Sequence, residues 1–132
     1  MHPIVAVGAG GLLGSILRYK LSGVVLHHAL GARFPVATLL VNVLGCLLAG
    51  LLAGWGEARS AAPGGLSATA RLFLITGVCG GFTTFSAFGL ETMYLARRHA
   101  PALAGLNVVL SVAGGLGGAW IGWRIATALA RT

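Results

Sequence analysis

Acidic residues are nearly missing from this chain: Glu57 and Glu91 are the two carboxylates in 132 residues. Charge of either sign is scarce, at 8% of residues, where a soluble domain carries about 25%. So little charge cannot wet the surface of a soluble fold. Cysteine is rare as well. Cys46 and Cys79 stand far apart, with no CxxC or zinc-type spacing, and read as small packing residues inside apolar runs. No nucleophile–base pair or metal-ligand cluster is evident, so the chain is not expected to be an enzyme. The start of the chain lacks a basic segment ahead of its first apolar stretch, so that span is expected to stay in the mature protein.

What the chain has in abundance is apolar sequence: 57% hydrophobic residues, with a mean hydropathy of +0.92. Its length leaves room for one domain. A membrane-crossing helix needs about 20 mainly apolar residues, and four such runs are present, at 3–30, 35–55, 72–96 and 101–130. The expected fold is therefore an all-α membrane protein, one four-helix transmembrane domain over 1–132. The small, polar, Pro- and Gly-bearing stretch 56–71 is its longest loop.

The net charge of +7 comes from a shortage of acids rather than a basic patch, and nucleic acid is not an expected partner. With four spans, one face of the membrane collects Arg59, Arg71 and Arg131, plus Arg124 if the last helix ends early. The other collects Arg33, Arg97 and Arg98, plus Arg18 and Lys20 if the first helix is short. Three cations against three, or four against five, is almost no bias, whereas a fixed orientation follows an excess on the cytoplasmic side. Insertion both ways round, with oppositely oriented copies pairing, is the expectation. Trp55, Trp120 and Trp123 read as interface anchors, and His2, His27, His28 and His99 fall near span ends.

There are 22 glycines. Gly10 and Gly14, Gly50 and Gly54, Gly77 and Gly81, Gly114 and Gly118, and Gly118 and Gly122 lie four apart, a spacing that lets helices approach closely in lipid. The Gly8 to Gly14 stretch does not fit a dinucleotide loop, lacking the GxGxxG spacing and an acid about 20 residues on.

Chemistry concentrates in Gly80-Gly81-Phe82-Thr83-Thr84-Phe85-Ser86-Ala87-Phe88-Gly89. Paired glycines followed by β-branched threonines are poor helix material, so a break is expected near 80–84. Non-helical backbone inside a membrane survives only where protein or a watery cavity satisfies it, which makes the break a candidate site. Phe85 and Phe88 share a helical face, with Ser86 nearby, and their positive ring edges suit a small anion. Thr38 and Asn42 face one way in the second span, and Asn107 and Ser111 repeat that spacing in the last. Neutral amide and hydroxyl donors can replace an anion's water without trapping it. Arg18 and Glu91 fit an entrance vestibule or an interface, since charge at mid-membrane is costly.

These segments resemble the CrcB/Fluc family of fluoride channels. The matches are Gly11-x-x-Gly14-x-x-x-Arg18-Tyr19, Thr38-Leu39-x-Val41-Asn42-x-x-Gly45, and Gly80 to Phe88 followed by Glu91, in order over nearly the whole chain. The resemblance implies a passive, fluoride-selective channel in the bacterial cytoplasmic (inner) membrane, which lets the cell expel fluoride down its electrochemical gradient and so relieves toxicity. It implies an antiparallel dual-topology homodimer with two pores, whose lining corresponds to Asn42, Phe85, Phe88, Ser86, Thr38 and Ser111. It also implies a structural sodium ion at the dimer centre, on the backbone carbonyls of Gly80 and Thr83. The family commonly reads FSTFS where this chain has Phe85-Ser86-Ala87-Phe88-Gly89, so two hydroxyls are missing. A homologous partner subunit supplying them is one alternative. A proton-coupled transporter of the small multidrug resistance type is another, but it needs a carboxylate in the first helix, which has none.

Overall fold

The computed structural model describes residues 2–29, 31, 33–59 and 65–130. Its helices are α1 (Pro3–His28), α2 (Val36–Ala58), α3 (Ala68–Arg71), a wide-wound stretch Leu72–Cys79, α4 (Gly80–Phe82), α5 (Phe85–Arg97) and α6 (Pro101–Leu129). Four stretches are long and apolar enough to cross a membrane: α1, α2, the run Ala68–Arg97, and α6. The 23 residues of α2 rise about 35 Å at 1.5 Å each, enough for a hydrocarbon core of about 30 Å.

Local sequence sets the ends. Proline in the first turn opens α1 and α6, where its missing N–H costs nothing. Ser67 caps α3 by accepting the Ala70 amide at 3.1 Å, so the third span begins four residues before the expected 72. The second runs past Trp55 to Ala58, where the Trp123 indole N–H donates to Glu57 Oε2 at 2.9 Å. The expected loop 56–71 is shortened at both ends, and 60–64 lie outside the described residues, as do the expected helix end at Leu30 and the cation Arg131. α5 stops where His99 takes a left-handed φ of 58° and the Ala100 amide reaches back to the Leu95 carbonyl at 3.1 Å, a Schellman closure.

Two helix pairs make the bundle: α2 packs most extensively on α6, and α1 on the segment 68–82. Both seams are built on glycine. A methyl on Gly50 would strike the Ala119 carbonyl, on Gly122 the Leu47 carbonyl, on Gly10 the Phe73 carbonyl and on Gly14 the Val78 carbonyl. Every glycine of the four-apart pairs lies close against another helix, mostly on its backbone, with Gly114 on the Val43 side chain. The residues that α1 meets, Phe73, Val78 and Phe82, recur at spacings of five and four. Widened winding over Leu72–Cys79 keeps that line of backbone facing α1, and such wide turns cluster at functional sites. The buried side chains are correspondingly small and few, with Ala6, Ala37, Val41, Ala104 and Ala126 among them. Large apolar residues such as Leu12, Val109 and Leu116 face outward, as lipid requires.

Two cation–ring stacks mark the end of the bundle where α2 and α6 finish. The Arg59 guanidinium lies 4.5 Å from the Trp55 ring centroid, and that of Arg124 lies 5.2 Å from Trp120. Stacked cations and rings at helix ends belong to the headgroup level.

Gly122→Ala should prevent tight α2–α6 packing, because backbone cannot yield as a side chain does and overpacking costs about 1–3 kcal/mol or more. Gly117→Ala adds a methyl that meets nothing within 4 Å and should behave as the unsubstituted protein. The monodisperse fraction on size-exclusion chromatography in detergent distinguishes them: collapse for the first, no change for the second.

Candidate functional site

Helical winding stops after Phe82. Thr83 (φ −81°, ψ 159°) and Thr84 (φ −150°, ψ 112°) are extended, and winding resumes at Phe85. The glycines stay wound; the extended residues are the threonines. Gly81 must stay wound to lie against the backbone of Gly11, while Thr83 presses its methyl onto Gly45 of α2.

Asn42 satisfies the opened backbone. Its Oδ1 accepts the Thr84 N–H at 2.7 Å, and its Nδ2 donates to the Thr84 carbonyl at 3.0 Å. A backbone N–H can only donate and a carbonyl only accept, so the amide orientation is fixed by chemistry. Thr84 also caps α5, its Oγ1 accepting the Ala87 N–H at 3.2 Å. In a continuous helix the Thr84 amide would close on the Gly80 carbonyl, and the Ala87 amide on that of Thr83. Both carbonyls lose their usual donors, and Gly80 is exposed. Two such oxygens, hard and uncharged, fit an alkali cation.

Beside the break lies a cavity of about 400 Å³ whose walls include Asn42, Thr83, Thr84, Phe85, Phe88 and Ser111. Phe85 and Phe88 sit with ring centroids 5.3 Å apart at 50°. Phe85 is 82% exposed and lines this space together with Phe88. One Asn42 N–H is used by Thr84, which leaves its other for a ligand. Cys46 also lines the cavity, although sequence suggested packing alone; the signal was its four-residue spacing from Asn42.

The remaining candidates divide. Thr38 donates to Glu91 Oε1 at 2.6 Å, a short contact, and Glu91 Oε2 is buried without a hydrogen-bond partner. The Thr38 proton is thus already committed. Ser86 is exposed, and its Oγ lies 3.2 Å from Thr84 Oγ1; neither it nor Arg18 lines the cavity. Ser111 donates to Asn107 Oδ1 at 3.4 Å, a long contact that lets the hydroxyl turn cheaply. Asn107, fully buried, donates to Thr92 Oγ1 at 2.8 Å, and Thr92 donates to the Phe88 carbonyl at 2.7 Å. Thr92, which the sequence did not single out, ties α6 to the phenylalanine-bearing turn.

Residues 5–123 match the model of a family described as CrcB-like protein, Camphor Resistance (CrcB). The chain belongs to the CrcB-like family. Among its relatives, the fluoride-specific ion channel FluC of Methylobacillus flagellatus is 43% identical over 95% of this chain and 94% of its own length. That of Methylobacterium nodulans is 49% identical over 87% and 86%, and that of Thermus thermophilus 44% identical over 98% of each. These matches span 86–98% of the relatives' own lengths, and the break and its Asn42 clamp lie inside residues 5–123.

Replacing Asn42 by Leu should leave the Thr84 N–H and carbonyl without partners, at about 1–3 kcal/mol each. Amide exchange at Thr84 reads this directly: slow with Asn42 present, faster by at least an order of magnitude in Asn42→Leu. Unchanged protection would mean that the clamp does not hold the break.

Proposed function

We propose that this protein is a fluoride-selective passive channel, one transmembrane channel domain over 1–132, which exports cytoplasmic fluoride down its electrochemical gradient. The observation that carries the reading is the cavity at the break. It combines a neutral amide donor, hydroxyls and two phenyl rings, with no ionised group in its walls. A small, strongly hydrated anion needs close donors to replace its water, and neutral donors release it again. The names of the relatives agree with this. Fluoride enters cells as its neutral acid and is trapped by dissociation, so an open path and a negative-inside potential suffice for export, with no enzymatic step.

In this reading Asn42, Phe85, Phe88 and Ser111 contact the anion, with Ser86 and Thr38 on the continuing track and Arg18 and Glu91 toward its ends. The assembly is an antiparallel, dual-topology homodimer in the bacterial inner membrane. Near-equal Lys and Arg on the two faces supports it. The Gly80 and Thr83 carbonyls of two such copies would hold a structural sodium ion, whose charge offsets that of nearby anions. Thr84 and Ser111 bring hydroxyls to the cavity wall, so this reading needs no second kind of subunit to replace those absent at Ala87 and Gly89. The proton-coupled alternative has no carboxylate in α1 to work with.

Liposomes loaded with fluoride should empty through the purified protein under a potassium-set potential, while matched chloride liposomes stay nearly full. Phe88→Ile should cut fluoride flux at least tenfold while the protein still elutes as the same assembly. Equal chloride efflux would end the selectivity claim, and full flux in Phe88→Ile would return that ring to packing.

Dual topology has its own test. In a Cys46→Ala, Cys79→Ala background, Gly65→Cys should react with impermeant maleimide partly from outside intact cells and fully only after permeabilisation. All-or-none labelling from one side would refute it.

A further inference from the structure

Beyond the break, toward the end where α2 begins and α5 finishes, lies a second, smaller cavity of about 200 Å³. Arg33, Pro35, Glu91, Tyr94 and Arg98 are among its walls. Two helices lead to it from the first cavity. On α2, Thr38 is one turn from Asn42; on α5, Glu91 is one turn from Phe88. The Thr38–Glu91 hydrogen bond joins them at 2.6 Å, and Glu91 itself reaches the outer cavity. From Asn42, in the first cavity, to Val36 the helix rises about 9 Å, and Arg33, Phe34 and Pro35 of the second cavity lie beyond.

The outer cavity differs in kind from the inner one. Its walls carry two guanidinium groups against one carboxylate, so it is net positive in either protonation state of Glu91. Both arginines are exposed, and neither is tied up in an ion pair among the described residues. Guanidinium groups held at a concave, low-dielectric opening focus an attractive field for anions. Cations that served only as interface anchors would not need to share one cavity with the polar track.

We propose that this cavity is the mouth of the anion path on this side, and that Arg33 and Arg98 concentrate small inorganic anions, fluoride among them, at the Thr38–Glu91 pair. The proposal rests on the channel reading above. Selectivity arises deeper, at Asn42 and the phenylalanines; the mouth sets the supply. Its contribution is Coulombic, so it depends on ionic strength, the screening length being about 30 Å at 0.01 M and about 3 Å at 1 M salt.

The test is fluoride flux from liposomes containing the full-length protein, the Arg33→Gln/Arg98→Gln double variant or the Arg33→Lys/Arg98→Lys double variant. Ionic strength is set with potassium gluconate, and fluoride is kept well below saturation. At about 10 mM salt the Gln variant should lose roughly three- to tenfold in flux, and near 1 M it should come within about twofold of the unsubstituted protein. The Lys variant should keep both the flux and its salt dependence. Equal flux in the Gln variant at low salt would overturn the mouth and leave the channel intact. So would an equal loss at both salt concentrations that Lys does not rescue, since that is the behaviour of a packing defect. Absence of fluoride flux in the unsubstituted protein would overturn the channel reading and the mouth with it.

Discussion

Opening a helix inside a bilayer strands amide and carbonyl groups where no water reaches them, at a cost of several kcal/mol each by order of magnitude. The contacts of Thr84 answer that constraint, and the carbonyls of Gly80 and Thr83 are what it leaves over. Asn42 returns both hydrogen bonds to Thr84, and Thr84 Oγ1 caps the next helix through the Ala87 amide. Thr83 closes back on the Cys79 carbonyl through its amide and hydroxyl, both at 3.0 Å. The extended pair separates α4 from α5, and the cavity lies beside it. A continuous helix here would satisfy itself and leave Asn42 with nothing to hold.

The glycine seams serve the same end. Asn42 can clamp Thr84 only if α2 lies close to the break, and Gly45 permits that approach where any β-carbon would meet Thr83 and Phe82. On the other side Gly81 rests against Gly11, and the Ser15 hydroxyl reaches the Gly81 carbonyl at 3.4 Å. With small residues at the contacts, dispersion between backbones holds the bundle, and the large apolar side chains are left for lipid or for a second copy.

Much of this was legible in the sequence because scarcity of charge and the length of apolar runs are one-dimensional signals. The four spans and the unusual status of Asn42 needed no coordinates. What could not be read depends on pairing. Asn42 showed a need for a partner, but the partner lies 42 residues away and is a backbone group, indistinguishable in sequence from any other. The expected break near 80–84 falls on the threonines of that stretch rather than its glycines: Gly81 is wound against α1, and Thr83 and Thr84 are extended. Thr92 looked like any threonine in a helix until Asn107 of α6 proved to sit opposite it. Wide winding over Leu72–Cys79 follows from fitting α1, a relation between helices that no local pattern records. The Ser67 cap was the exception: serine just before a helical run is a readable start signal, and it accounts for the early beginning of the third span.

Charge is distributed along the proposed path so that attraction and release fall in different places. A fixed cation beside the phenylalanines would hold an anion with about 4 kcal/mol at 4 Å for an effective dielectric constant of 20. A site that deep would be a trap rather than a passage. Asn42 offers an N–H dipole instead, and the phenyl edges a weaker one, so each site competes with water without binding permanently. Arg33 and Arg98, at the opening, act where solvent and salt screen them. They raise the local anion concentration but hold no ion for long. Glu91 lies between the two regimes, its Oε1 taken by Thr38 and its side chain at the wall of the cavity that holds the two arginines.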